Sequence, residues 1–144
     1  MRRTRISELL AGDAPREQVT ACGWVRTRRD ASGFSFFELN DGSCRNGIQV
    51  IADAGLTNYE TLRVTGTGAA LRVSGELVES PGKGQRWEIR ATDVAVLGAA
   101  GPDYPLQKKR HSDEFLRGIA HLRPRTNKYG ALLRIRSRLA VAIH

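Results

Sequence analysis

Cysteine is nearly absent: Cys22 and Cys44 are the only two in 144 residues. Two cysteines without metal-ligand spacing are too few for a disulfide framework, so a reducing cytoplasm is the expected setting and small core positions are the expected role. The three histidines, His111, His121 and His144, show no ligand spacing either. Long hydrophobic runs are missing. No segment approaches the roughly 20 apolar residues of a spanning helix. The opening MRRTRISELLAGD carries arginines but reaches Asp13 soon after Leu9 and Leu10, which argues against a signal peptide. There is no Walker-type phosphate loop, because the glycine-rich Pro81–Gly84 is too short and lies in a hairpin, and no nucleophile–base pair stands out. Acidic residues are scarce in one region only. Residues 1–100 hold 13 Lys and Arg against 12 Asp and Glu, whereas residues 101–144 hold 10 against 3. A net charge of +8 concentrated in the C-terminal third suits a polyanionic partner, and it equally suits a solvated basic face.

What is present is the composition of a soluble globular protein, 40% hydrophobic and 26% charged, with room for one full domain and something smaller. The chain is organised around Val19–Ile51, which reads as three strands joined by tight turns. Because side chains alternate along a strand, Ser35, Phe37 and Leu39 share one face of Phe34–Asn40, and Phe34, Phe36, Glu38 and Asn40 share the other. The second set places aromatic rings beside donors and acceptors, which is what a surface for unpaired nucleobases requires. Burial of Phe34 and Phe36 under a loop or helix satisfies the same pattern.

Taken in order, Ile6–Leu10 reads as a short helix able to plug one end of a barrel, with Ser7 or Thr4 as its cap. The first strand spans Val19 to about Thr27 and turns basic at Arg26, Arg28 and Arg29. A turn at Asp30–Gly33 leads to the second strand, and turn residues from Asn40 to Gly47 precede the third at Ile48–Ala52. Leu56, Tyr59, Leu62 and Arg63 predict a helix within Gly55–Val64. Two more strands follow, Ala70–Glu79 with Leu71, Val73 and Leu77 inward, and Arg86–Leu97 with Trp87, Ile89 and Ala91 inward, joined by a loop at 80–84. This order predicts a mainly β fold, a five-stranded OB-fold Greek-key barrel with a short helix between strands 3 and 4. Such barrels bind oligonucleotides on the face of strands 2 and 3, where Phe34, Phe36 and Gln49 lie. Glu88 is expected to point outward, either as an acceptor beside Gln49 or as a surface ion-pair partner of its flanking arginines.

Beyond Gly98–Pro102, a small-residue linker, Tyr104–Arg110 reads as extended and basic. Ser112 then caps a short amphipathic helix through Leu122, stopped by Pro124. Leu132, Ile135, Leu139 and Ile143 mark a helix over Lys128–His144, capped by Thr126 or Asn127 and roughly 25 Å long. It carries an apolar stripe and no stop signal, so the sequence is expected to be part of a longer chain.

The stretch YPLQKKRHSDEFLRGIAHLRPRTN resembles the hinge between anticodon-binding barrel and catalytic domain in asparaginyl-tRNA synthetases, class II enzymes of the aspartyl, asparaginyl and lysyl subgroup. CGWVRTRRD, ELNDGS, VTGT and EIRATDVAVLG resemble the same family in the same order, so the likeness spans essentially the whole chain. It implies a division into an anticodon-binding OB-fold domain (1–100), an interdomain hinge (101–127) and the start of a truncated class II catalytic domain (128–144). It implies that Phe36 stacks on the central anticodon uridine, that Gln49 and Glu88 contact anticodon bases, and that Arg29 is the last arginine of the family's basic run. Arg28, in the same run, is a further candidate, since a strand phase that exposes it hides Arg29 unless a bulge or turn intervenes. For the whole enzyme the resemblance implies ATP-dependent attachment of asparagine to tRNA, with ATP and Mg2+, in a cytoplasmic homodimer. No cofactor and no activity are expected of these 144 residues alone, and no membrane is expected as a partner. The alternatives are a free-standing nucleic-acid-binding OB module and the corresponding part of an aspartyl-tRNA synthetase.

Overall fold

Five strands close into one barrel, in the spatial order β1–β2–β3–β5–β4. The computed structural model describes residues 2–144, and the chain divides into two compact units, residues 1–107 and 108–144. In the first unit the elements are α1 (Ile6–Leu10), β1 (Arg16–Ala31), β2 (Phe34–Asn40), β3 (Ile48–Asp53), α2 (Tyr59–Arg63), β4 (Ala70–Glu79) and β5 (Trp87–Gly98). All neighbouring strands are antiparallel except β3 and β5, which run parallel.

Strand β1 is longer at both ends than the sequence pattern suggests, because its first half pairs with β4 and its second half with β2. A strand that closes a barrel must serve two neighbours in succession. Its register slips between Val25 and Thr27. The bulge adds one residue and reverses which side chains face the interior from there on. The β1–β2 hairpin turns at Gly33, whose φ of +78° suits a residue without a side chain.

Ala21, Val25, Phe37, Leu39, Ile48, Val50, Leu71, Val73, Leu77, Trp87 and Ile89 fill the interior with no exposed surface. The inward residues expected for β2, β4 and β5 are therefore the ones observed. Ile6 and Leu9 of α1, both fully buried, belong to the same core. The expected caps Ser7 and Thr4 do not serve α1. Its first N–H groups are bonded from another part of the chain: Asp41 Oδ2 accepts from Ile6 N at 3.1 Å and Ser43 Oγ from Ser7 N at 3.0 Å.

Helix α2 is shorter than expected. Asp53 Oδ1 accepts from Gly55 N at 2.7 Å, and this local turn competes with helix over 54–58. Asn58 is drawn away from capping by a bond to Val94 O. Both cysteines are free and half-buried; Cys44 packs against the core cluster, and Cys22 does not belong to it. Among the described residues no helix is long and apolar enough to cross a membrane.

The second unit contains α3 (Asp113–Gly118), a 3-10 turn at Arg123–Arg125 and α4 (Asn127–Ile143). Ser112 Oγ accepts from Phe115 N at 3.2 Å, the cap that the sequence predicts. Thr126 precedes α4 but does not cap it through its side chain, because its hydroxyl donates back to Arg123 O at 2.7 Å. Asp113 and Lys128 form an ion pair that lowers the carboxyl pKa and raises that of the ammonium. Leu132, Ile135, Leu139, Val141 and Ile143 of α4 are exposed.

Candidate nucleic-acid interface

The outer wall of β1, β2, β3 and β5 presents two neighbouring rows of side chains. Residues directly opposite in a ladder point to the same side of the sheet. The pairings Arg29 with Phe36, Phe36 with Ile51, and Ile51 with Arg90 make one row. Thr27 with Glu38, Glu38 with Gln49, and Gln49 with Glu88 make the next. Since Phe37, Val50 and Ile89 between them face the interior, both rows face out. They lie two residues apart along the strands, about 7 Å.

In the first row the Phe36 ring is half-buried on the wall, and the Arg29 guanidinium lies over it, 4.8 Å from the ring centroid. Arg29 is exposed, which the bulge explains. Without it Arg29 would point inward with Val25; with it Arg28 does instead. Arg28 stands opposite Phe37, its guanidinium 6.0 Å from that ring, and is held by Asp30 through Nε at 3.0 Å and Nη2 at 2.7 Å. Its Nη1 donates to Thr65 O at 3.3 Å, and Ser35 Oγ donates to Asp30 Oδ1 at 2.7 Å. Arg28 and Ser35 hold the Asp30 carboxyl below the ordinary carboxylate range. The placement of Arg28 on the outer wall is thus corrected: it braces the β1–β2 hairpin against the segment after α2.

In the second row Gln49 Nε2 donates to Glu88 Oε2 at 3.1 Å. The same oxygen accepts from Ser80 Oγ at 2.8 Å and from Gln85 Nε2 at 3.3 Å. Glu88 projects from the outer side, as alternation requires, but it is only 3% exposed. The expectation of an exposed carboxylate, and of an ion pair with its flanking arginines, is corrected. The 80–86 loop supplies its partners instead, and Arg86 pairs with Asp13. With one N–H bonded to Glu88, the Gln49 amide is held in one orientation and keeps its carbonyl oxygen as an acceptor and its second N–H as a donor for a partner. Glu38, beside Gln49, bonds Thr27 Oγ1 at 3.2 Å and lies 3.6 Å from Arg26.

The rows hold one flat ring, one amide of fixed polarity and exposed guanidinium groups, a combination suited to a stacked base and its hydrogen-bonding edge. Phe34 is 40% exposed at the hairpin end, while Asn40, expected beside Phe36, is buried. Its amide donates to Asn46 O at 3.0 Å and its oxygen accepts from Gly42 N at 2.8 Å, which shapes the β2–β3 turn. The sequence reading missed Ser80, Gln85 and Arg90. Ser80 and Gln85 sit in a loop that alternation does not describe, and Arg90 was legible from the outward phase of Glu88.

Residues 19–97 match the family described as OB-fold nucleic acid binding domain. The chain is 62% identical over 145 residues to the asparagine–tRNA ligase of Nitratidesulfovibrio vulgaris (strain DP4), covering 100% of this chain and 32% of that protein. It is 54% identical to the asparagine–tRNA ligase of Geobacter sulfurreducens, covering 99% of this chain and 31% of that one. The chain therefore spans about a third of the length of these curated relatives. The asparaginyl-tRNA synthetase of Pyrococcus horikoshii complexed with asparaginyl-adenylate shares the fold, with a TM-score of 0.81 at 21% identity over 99% of this chain and 33% of that structure. With more than half of its residues matched and the five-stranded barrel formed, the chain belongs to the OB-fold nucleic acid binding domain family.

Proposed function

We propose that this chain is the anticodon-binding N-terminal part of an asparagine–tRNA ligase, in which the outer wall of the barrel selects tRNA for attachment of asparagine. The observation that carries the reading is the juxtaposition of the Phe36 ring, with Arg29 over it, and the Gln49 amide held by Glu88. An anticodon base turned out of its loop stacks at Phe36, and a neighbouring base donates to Gln49 Oε1, as the N3–H of uracil can. Stacking on one aromatic contributes about 1–3 kcal/mol. Glu88 sets the direction of the Gln49 amide and is reached by a base only at the edge of the 80–86 loop. Arg28 acts through the hairpin that carries Arg29 and Phe36, not on the base.

In this reading residues 101–127 form the hinge and 128–144 open the class II catalytic domain, whose homodimeric assembly would cover the exposed apolar residues of α4. Aminoacylation in the cytoplasm belongs to the whole enzyme. In this reading ATP and Mg2+ are bound by the catalytic domain of the whole enzyme, of which residues 128–144 are only the start. A free-standing OB module accounts less well for the relatives, because the identity covers the whole chain and does not stop with the barrel.

The test is titration of the chain with two anticodon stem-loop RNAs, one bearing GUU and one with that anticodon permuted, at low and at moderate salt. Tighter binding of GUU at both salts is expected. Equal affinity for the two RNAs sinks the anticodon reading.

A further inference from the structure

Four arginines line an open cleft of about 500 Å3 to which no residue of the two rows contributes: Arg2, Arg3, Arg5 and Arg16, with Thr4 and Glu8 completing its lining. They come from two segments. Arg2, Arg3 and Arg5 precede α1, Arg16 opens β1, and the turn at 11–15 brings the two together. All four are exposed, and among the described residues none is ion-paired. Elsewhere in the barrel Arg26, Arg28, Arg63 and Arg86 each have a carboxylate partner, whereas Arg29, Arg45, Arg72 and Arg90, like the four of the cleft, form no ion pair among the described residues; what distinguishes the cleft is that four such arginines line one site. Among the described residues Glu8 is the only acidic one lining the cleft, so the lining is strongly basic. Such a lining suits an anion, and guanidinium matches phosphate in shape as well as charge.

The base of the cleft is fixed. Ile6 and Leu9 are fully buried, and Asp41 and Ser43 hold the start of α1. Gly12 O accepts from Trp87 Nε1 at 2.9 Å, and the next residue of β5 is Glu88, the partner of Gln49. The cleft is thereby tied to the barrel end at which β5 begins. No large hydrophobic side chain is exposed between residues 2 and 16. A membrane-surface helix would need such an apolar anchor.

We propose that this cleft is a second, sequence-independent contact for the phosphate backbone of the RNA whose bases the outer wall reads. It rests on the nucleic-acid reading above and adds a partner surface that alternation along the strands does not indicate. Each phosphate neutralised contributes about 0.7 to the slope of log affinity against log salt for a single strand. Four contacts therefore steepen the slope by roughly 3. Between about 50 and 200 mM salt, the original chain should lose roughly 50-fold more affinity than a variant without them.

The experiment compares the full chain with the quadruple variant Arg2→Gln, Arg3→Gln, Arg5→Gln, Arg16→Gln, and with Arg72→Gln as a control on the opposite wall. Each is titrated with the GUU and permuted stem-loops across that salt range. The expected result is a slope shallower by 2–3 in the quadruple variant alone, with the ratio of GUU to permuted affinity unchanged. An unchanged slope, or an equal change in Arg72→Gln, overturns the proposal. So does loss of binding to phosphatidylserine vesicles with the RNA slope intact, which assigns the cleft to a membrane surface. If the quadruple variant does not fold, the pair Arg2→Gln and Arg3→Gln, which precede every helix and strand, reads half the effect, and an unchanged slope there overturns it too. Absence of any GUU preference in the original chain refutes the anticodon reading instead, and leaves the slope comparison to be scored by itself.

Discussion

Phe36 and Phe37 are consecutive in sequence and lie on opposite sides of one sheet, so truncating each to alanine should separate recognition from stability. Phe37 has no exposed surface and sits in the core with Leu39, Val50 and Ile89. Its replacement by alanine leaves a cavity and should cost about 3–5 kcal/mol. At roughly 4–8 °C per kcal/mol for a unit of this size, that lowers the melting temperature by about 12 °C or more. Phe36 is half-buried and its ring is covered by the Arg29 guanidinium at 4.8 Å. Losing that contact costs about 0.5–1 kcal/mol of stability. Losing the stacking surface costs about 1–3 kcal/mol of binding, or roughly 5- to 150-fold in affinity for the GUU stem-loop. Differential scanning calorimetry reads the first quantity. Fluorescence anisotropy with labelled RNA, at a temperature where both variants are folded, reads the second. The reasoning is refuted if Phe36→Ala melts as low as Phe37→Ala while RNA affinity is unchanged.

Glu88→Ala removes the acceptor shared by Gln49, Ser80 and Gln85. It should lower the urea midpoint by the equivalent of about 1–3 kcal/mol for each donor left buried and cut GUU discrimination by about tenfold, whereas Glu88→Gln, which keeps an acceptor, should do less of both. The Asp30 carboxyl has its pKa lowered from 3.8 by Arg28 and Ser35, so folding gains from its ionised form above that value and loses the gain as pH falls through the lowered one. Thermal melts should place Asp30→Asn below the original chain near neutral pH, and the gap should narrow as the pH falls below the ordinary carboxylate range. Asp41→Ala and Ser43→Ala each remove an acceptor at the start of α1 and should destabilise the barrel by about 1 kcal/mol in urea unfolding, although neither residue is near that helix in sequence.

The barrel was legible because its strands alternate clearly: the inward set of β2, β4 and β5 can be read two residues at a time, and the turn residues from Asn40 to Gly47 mark where β2 ends. What failed to show depends on contacts between distant segments. The bulge after Val25 inverts Arg28 and Arg29, yet no residue near it announces an extra position, and only the register with β2 reveals it. Glu88 reads as exposed because alternation predicts direction, not cover, and the cover comes from the 80–86 loop. The cap of α1 lies some 35 residues away, beyond any local capping pattern. The expected start of α2 gave way to a side-chain turn at Asp53, a competition between two local structures that helical spacing alone does not weigh. In the site itself, the Phe36 and Gln49 faces followed from period-two alternation, while the fixed polarity of the Gln49 amide required the three-dimensional contact with Glu88.

The most direct measurement is the change in backbone amide chemical shifts when the GUU stem-loop is added to isotope-labelled chain. The account predicts that the largest changes fall at Arg29, Phe36, Gln49 and Glu88, on the wall formed by the second half of β1 with β2, β3 and β5. Changes centred on Cys22 and Arg72, across the β1–β4 pairing on the other side of the barrel, with Phe36 and Gln49 undisturbed, would contradict it.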